Sequence, residues 1–173
     1  MVANLFGDYV KGSNLERFPA LVQHGIRLHR AIDNFIDTHP DVLALKRNLY
    51  EDLPKVSGIA IDLFFDHLLA RNWSIYHVMP YTEFLERFYT HQIISPESYT
   101  NDFLEFIEAM RTNNWLSHYP DSFGLMKSCE GVSRKLSFPN VLATGAQVFE
   151  KHEAEINRCF EKYMYDARLF FKI

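Results

Sequence analysis

Between about residues 55 and 73 the chain carries Val56, Ile59, Ala60, Leu63, Phe64, His67, Leu68 and Ala70, which makes a helix apolar nearly all the way round. A helix with so little polar face must be covered on several sides, so the rest of the chain has to supply other helices around it. The remaining pattern offers them. Residues 18–38 open on Pro19, suited to a first helical turn, and space Leu21, Val22, Ile26, His29, Ile32, Asp33 and Ile36 three and four apart. That segment stops at His39-Pro40, because the residue before proline is pushed out of the helical region. Residues 41–53 read as a second helix. Residues 81–92, with Phe84, Leu85, Phe88 and Tyr89, follow Met79-Pro80, and Ser95-Pro96-Glu97 announces a further helix over 99–113. A short piece at 122–132 and a long helix over 140–171 bring the expectation to about seven helices in an all-α, single-domain bundle. Seven glycines and seven prolines in 173 residues are few for the turns of a β-sandwich or a Rossmann fold, and no internal repeat or linker divides the chain.

Charge excludes one class of function. Eighteen Lys and Arg against 22 Asp and Glu leave a net charge of -4, so the global positive field of a non-specific nucleic-acid binder is absent, and any anion must meet a local basic patch. The apolar stretches Ile59-Ala60-Ile61 and Leu63-Phe64-Phe65 are interrupted by Asp62 and Asp66, well short of the roughly 20 apolar residues that span a membrane. The first residues lack a basic segment followed by an apolar one, so a cytoplasmic protein is expected. Cys129 and Cys159 stand 30 positions apart with no CxxC pairing, which points to reduced thiols and away from a thiolate zinc site.

Polar groups at positions that the periodicity would bury are the places to look for chemistry. His29 and Asp33 are one helical turn apart on the face of Ile26, Ile32 and Ile36. Asp62 and Asp66 are likewise four apart, with His67 adjacent, inside the most hydrophobic segment. Two stacked carboxylates in a buried helix repel, and burying either unpaired costs several kcal/mol or forces protonation. Either a divalent cation compensates, since carboxylate and neutral imidazole suit Mn, Mg, Fe or Zn, or Arg30 or Arg71 forms structural ion pairs with them. The run Gly7-Asp8-Tyr9-Val10-Lys11-Gly12 lacks the Lys-Ser/Thr ending of a P-loop. It reads either as a solvated turn or as a close backbone approach in which Asp8 offers a carboxylate and Lys11 a phosphate contact. Ser133-Arg134-Lys135 is either a phosphate-binding segment or an ordinary charged loop, and Trp115 and Tyr119 read as core.

In order and spacing, the 7–12 run, then His29-Arg30-Ala31-Ile32-Asp33, then residues 62–73 with Asp62, Asp66, His67, Leu69 and Trp73, resemble the acyl carrier protein phosphodiesterase family. Asn114-Trp115-Leu116 with Tyr119, and Gly131-Val132-Ser133-Arg134-Lys135, are similar to two later segments of that family, so the resemblance covers essentially the whole chain. The family begins with a segment like Asn-Phe-Leu-Ala-His-Leu ahead of its Gly-Asp motif, so a short N-terminal stretch is expected to be lacking here. The resemblance implies an HD-domain-like, metal-dependent phosphohydrolase. Its reaction would be hydrolysis of the phosphodiester that joins 4'-phosphopantetheine to a serine of holo-acyl carrier protein, with Mn²⁺ as cofactor and Mg²⁺, Fe²⁺ or Zn²⁺ as substitutes. On that basis His29, Asp33, Asp66 and His67 are expected to hold metal, Asp62 and Asp8 to complete the shell or orient the attacking water, and Arg30 to neutralise the phosphoryl group. Lys11, Arg134 and Lys135 are the expected substrate contacts. The competing readings are a helical binding or scaffold protein whose His/Asp cluster is only a polar network, and an HD-like phosphohydrolase acting on another phosphoester.

Overall fold

Proline sets the first boundary. Pro40 holds His39 in an extended conformation (φ -65°, ψ 126°), which ends one helix, and then occupies the first position of the next. The computed structural model describes residues 1–172, and these are all-α, with nine α-helices and no strand among them. They are α1 (Val2–Leu5), α2 (Ala20–Thr38), α3 (Pro40–Asn48), α4 (Ser57–Arg71), α5 (Trp73–Tyr76), α6 (Tyr81–Thr90), α7 (Asn101–Thr112), α8 (Ser122–Lys135) and α9 (Gly145–Phe171). Seven of them are nine residues or longer, which is the number the periodicity implies; α1 and α5 are single turns with too few residues to show a period. No helix among the described residues is long and apolar enough to cross a membrane.

By its internal contacts the chain divides into two compact units. The first comprises Met1–Phe35 and Thr82–Leu116. Its core gathers Val2, Phe6, Val22, Ile26, Phe103 and Ile107, with the Phe6 ring 4.9 Å from those of both Tyr99 and Phe103. The second comprises Ile36–Tyr81 and Ser117–Ile173. Here α4 is the central element, packed on α3, α8 and α9, as its apolar composition requires. Phe64 stacks edge-on against Phe149 at 5.3 Å, and Phe65 meets Phe160 at 5.3 Å and Tyr163 at 5.2 Å. Burying each such ring contributes roughly 1.5–3 kcal/mol.

Three expectations need correction. Asp62 and Asp66 are exposed, because the buried set Ala60, Ile61, Phe64, Phe65, His67, Leu68 and Ala70 leaves a strip of α4 uncovered at positions 62 and 66. Residues 133–135 are not a loop. α8 starts on an Asp121 N-cap, whose carboxylate accepts the Gly124 N–H at 2.7 Å, and runs on through Lys135. Trp115, expected in the core, is 40% exposed and touches Phe106 with its ring edge at 6.0 Å.

Candidate active site

In the first unit the 7–12 run is solvated only in part, with Asp8, Lys11 and Gly12 exposed and Gly7 and Val10 buried. Phe6–Tyr9 form a 3-10 turn in which Phe6 and Gly7 are buried, and the chain leaves it through a buried, extended Val10. Gly7 lies directly against His29: a Cβ on residue 7 would fall 2.2 Å from the His29 Cδ2, inside any tolerable contact. That approach brings Asp8 Oδ1 to 3.1 Å from His29 Nε2. From one turn further along α2, Asp33 Oδ2 reaches the same nitrogen at 3.1 Å. Both oxygens are acceptors, so Nε2 carries a proton. The hydrogen bond with Asp8 raises the pKa of the imidazole, with the charges of Asp8 and Asp33 adding to it and burial and Arg30 opposing it. Asp8 and Asp33 themselves remain largely open to solvent. Arg30, half-buried, donates from Nη2 to the carbonyls of Val10 at 2.9 Å and Gly12 at 2.8 Å, while Lys11 between them is exposed.

In the second unit Asp66 and His67 line a shallow recess with Leu63, Tyr119, Leu125 and Ser128. His67 is 3% exposed, and its Nδ1 stands 2.7 Å from the Tyr119 carbonyl. A carbonyl only accepts, so Nδ1 is the protonated nitrogen and Nε2 keeps its lone pair. Burial lowers the pKa of this imidazole, which favours the neutral, electron-donating form. Solvent reaches the Asp66 side chain, yet protein crowds its carboxyl enough that desolvation pushes it up to about 6. Arg71, the arginine offered as a structural partner for these carboxylates, pairs with Glu153 at 2.9 Å and bonds Asn157 at 3.3 Å. Arg134 and Lys135 are exposed in the last turn of α8.

The expected metal ligands thus fall into two pairs, His29 with Asp33 in the first unit and Asp66 with His67 in the second. The His67 tautomer is the one that ligation needs, whereas His29 Nε2, protonated between two carboxylates, has no lone pair to offer a cation. Among the described residues, however, no group of three or more His, Cys, Asp or Glu side chains is placed so that it could hold a metal ion. What the first unit does offer is an imidazole clasped by two carboxylates, an arrangement that can accept and return a proton. The Tyr119 carbonyl on His67 was not legible in the sequence, because a main-chain oxygen carries no residue signature. The buried His39, bonded to Asp166 at 3.1 Å, was also missed behind its role as a helix stop.

A family model described as acyl carrier protein phosphodiesterase matches residues 1–167. Among curated proteins, an acyl carrier protein phosphodiesterase of Photorhabdus laumondii is 29% identical over 167 residues, covering 94% of this chain and 83% of its own. One from an Enterobacter species is 28% identical over 153 residues, covering 86% and 78%. One from Escherichia coli O139:H28 is 30% identical over 137 residues, covering 76% and 69%. No solved structure matches the chain.

Proposed function

Because the chain belongs to the acyl carrier protein phosphodiesterase family, we propose that it is a phosphoric diester hydrolase that cleaves the 4'-phosphopantetheine–serine phosphodiester of holo-acyl carrier protein. Water adds to phosphorus, the bond from phosphorus to the serine oxygen breaks, and the products are apo-carrier protein and free phosphopantetheine. The observation that carries this reading is His29 Nε2 at 3.1 Å from both Asp8 and Asp33. With its Nε2 proton held by the two carboxylates, this imidazole would take a proton from the attacking water at Nδ1 and return it from there to the departing serine oxygen, the carboxylates stabilising the imidazolium between those events. Lys11, exposed beside this group, and Arg134 and Lys135 on α8 supply positive charge for an acidic carrier protein or its phosphate.

Dependence on Mn²⁺ and an HD-like ancestry are parts of the same proposal. They are supported by the donor chemistry of Asp66 and His67, with Asp62 as a further oxygen donor on the exposed strip of α4, whereas His29, expected as a ligand, holds a proton on Nε2 between Asp8 and Asp33 and serves proton transfer instead. A bound divalent ion supplies Lewis acidity toward the phosphoryl oxygens. Mass spectrometry of holo-acyl carrier protein incubated with this protein, with and without Mn²⁺, is the test. Loss of the phosphopantetheine mass is expected, faster with Mn²⁺, together with a rise in melting temperature on adding the ion. An unchanged carrier protein under both conditions overturns the reaction. Equal rates and an unshifted melting temperature overturn the metal.

A further inference from the structure

We infer that Arg30 is a positioning residue: its guanidinium latches the backbone at residues 10–12 and thereby holds Asp8 against His29, and it is not a two-pronged grip on phosphate. The chemistry of the guanidinium decides this. Its N–H donors form two parallel forks, Nη1 with Nη2 at the end of the group and Nε with Nη2 along its side. Each fork needs one hydrogen of Nη2, and Nη2 has two. Both are committed, one to the Val10 carbonyl at 2.9 Å and one to the Gly12 carbonyl at 2.8 Å. No fork remains for two oxygens of a phosphoryl group.

What the latch holds is the outgoing side of the segment that carries Asp8. Gly12 sits at φ +82°, a conformation that a side chain would strain, and Val10 is buried and extended, with its N–H returning to the Gly7 carbonyl at 3.1 Å. On the incoming side Gly7 fits flush against the His29 ring. Asp8 is therefore fixed from both ends. His29 and Arg30 are neighbours on α2, so one helix supplies both the ring and the clamp that brings a carboxylate to it. The clamp adds to the buried Phe6 and Val10 and the packed Tyr9 ring, so its loss should loosen residues 10–12 and the 76% exposed Asp8 side chain without unfolding the turn.

The kinetic arm of the test rests on the phosphodiesterase reading, and a second arm does not. In the full chain, Arg30→Ala, Arg30→Lys, Asp8→Asn and the Asp8→Asn/Arg30→Ala double variant are assayed on holo-acyl carrier protein and on bis(p-nitrophenyl) phosphate. A latch predicts that Arg30→Ala lowers kcat about ten-fold or more with KM little changed, and that the double variant is no slower than Asp8→Asn alone, because the arginine acts only through Asp8. Arg30→Lys should restore much of the rate, since one ammonium can donate to both carbonyls, whereas it cannot reproduce a planar fork on phosphate. A double variant slower than Asp8→Asn by the full Arg30→Ala factor, a KM increase on the small diester, or failure of lysine to rescue overturns the latch in favour of a phosphate grip. Independently of turnover, amide hydrogen exchange at residues 8–12 should quicken in Arg30→Ala while α7 and α9 stay protected; unchanged exchange at 8–12 overturns the latch as well. If the wild-type chain hydrolyses neither substrate, the proposed function fails and the exchange experiment still decides the latch.

Discussion

At the scale of single residues, the site depends as much on an absent side chain as on those present. Gly7→Ala puts a methyl group 2.2 Å from the His29 Cδ2, so the 3-10 turn or the ring must move, and Asp8 moves with the turn. Hydrolysis is expected to fall about ten-fold or more, because a misplacement of about an ångström is that costly. Overpacking should lower stability by about 1–3 kcal/mol in urea unfolding. A variant with wild-type rate would show that the contact between Asp8 and His29 is idle. Asp66 and His67, adjacent in sequence, should separate in a second comparison. His67→Ala removes a buried ring packed 5.1 Å from Phe149 and strands the Tyr119 carbonyl, which together cost on the order of 2–4 kcal/mol. Asp66→Asn removes a carboxylate whose charged form desolvation disfavours, so at neutral pH it should leave the urea midpoint unmoved or raise it while still slowing hydrolysis. Equal destabilisation by the two would place Asp66 in the core. Periodicity alone put both in the interior, since it registers that a segment is apolar on average and not which narrow strip its neighbours leave uncovered.

Among the elements, α9 is tied to the start of the second unit by ion pairs that the sequence pattern does not show. Lys151 bonds both oxygens of Asp52 at 2.8 Å, His152 Nε2 meets Asp52 at 2.7 Å, and Lys162 lies 2.7 Å from Asp41 on α3. His152 is also where α9 departs from helical geometry (φ -114°, ψ 15°). The hydrogen bond from Lys151 and then that from His152 lower the pKa of Asp52, and the one from Lys162 lowers that of Asp41. A carboxylate whose folded pKa lies below its unfolded value stabilises the fold above the unfolded pKa, and this is lost as pH falls through the folded one. The melting temperature of the wild type should therefore drop on going from pH 5 to pH 3, and Asp41→Asn/Asp52→Asn should flatten that drop while melting lower at pH 7. Calorimetry at the three pH values checks it, and parallel curves would show that these pairs carry no linkage. The long helices themselves were legible: α2 ends at Thr38, before the His39-Pro40 signal, and α6 begins at Tyr81. The partners of Asp41 and Asp52 were not, because 121 and 99 residues separate the members of these pairs and no local spacing links them.

If the proposed reaction holds, the question for the whole molecule is how a chain of net charge -4 would meet an acidic carrier protein. Long-range attraction cannot come from the total charge, so it has to come from a local patch, and Arg134 and Lys135, exposed together in the last turn of α8, are the pair that the family resemblance already singled out. Exposed charges of this kind act on encounter more than on bond breaking, and salt screens them within about 8–10 Å at physiological ionic strength. Reversing both to glutamate should raise KM for holo-acyl carrier protein several-fold at low salt, with the gap to wild type closing as salt is added, while kcat at saturation holds. A small phosphodiester supplies the decisive contrast, since it cannot span a docking surface and its hydrolysis should be indifferent to the reversal. The opposite pattern, with the small diester slowed as severely as the carrier protein and no relief from salt, would move Arg134 and Lys135 from docking into the chemistry, and would require the end of α8 to approach the reacting phosphate in the working enzyme.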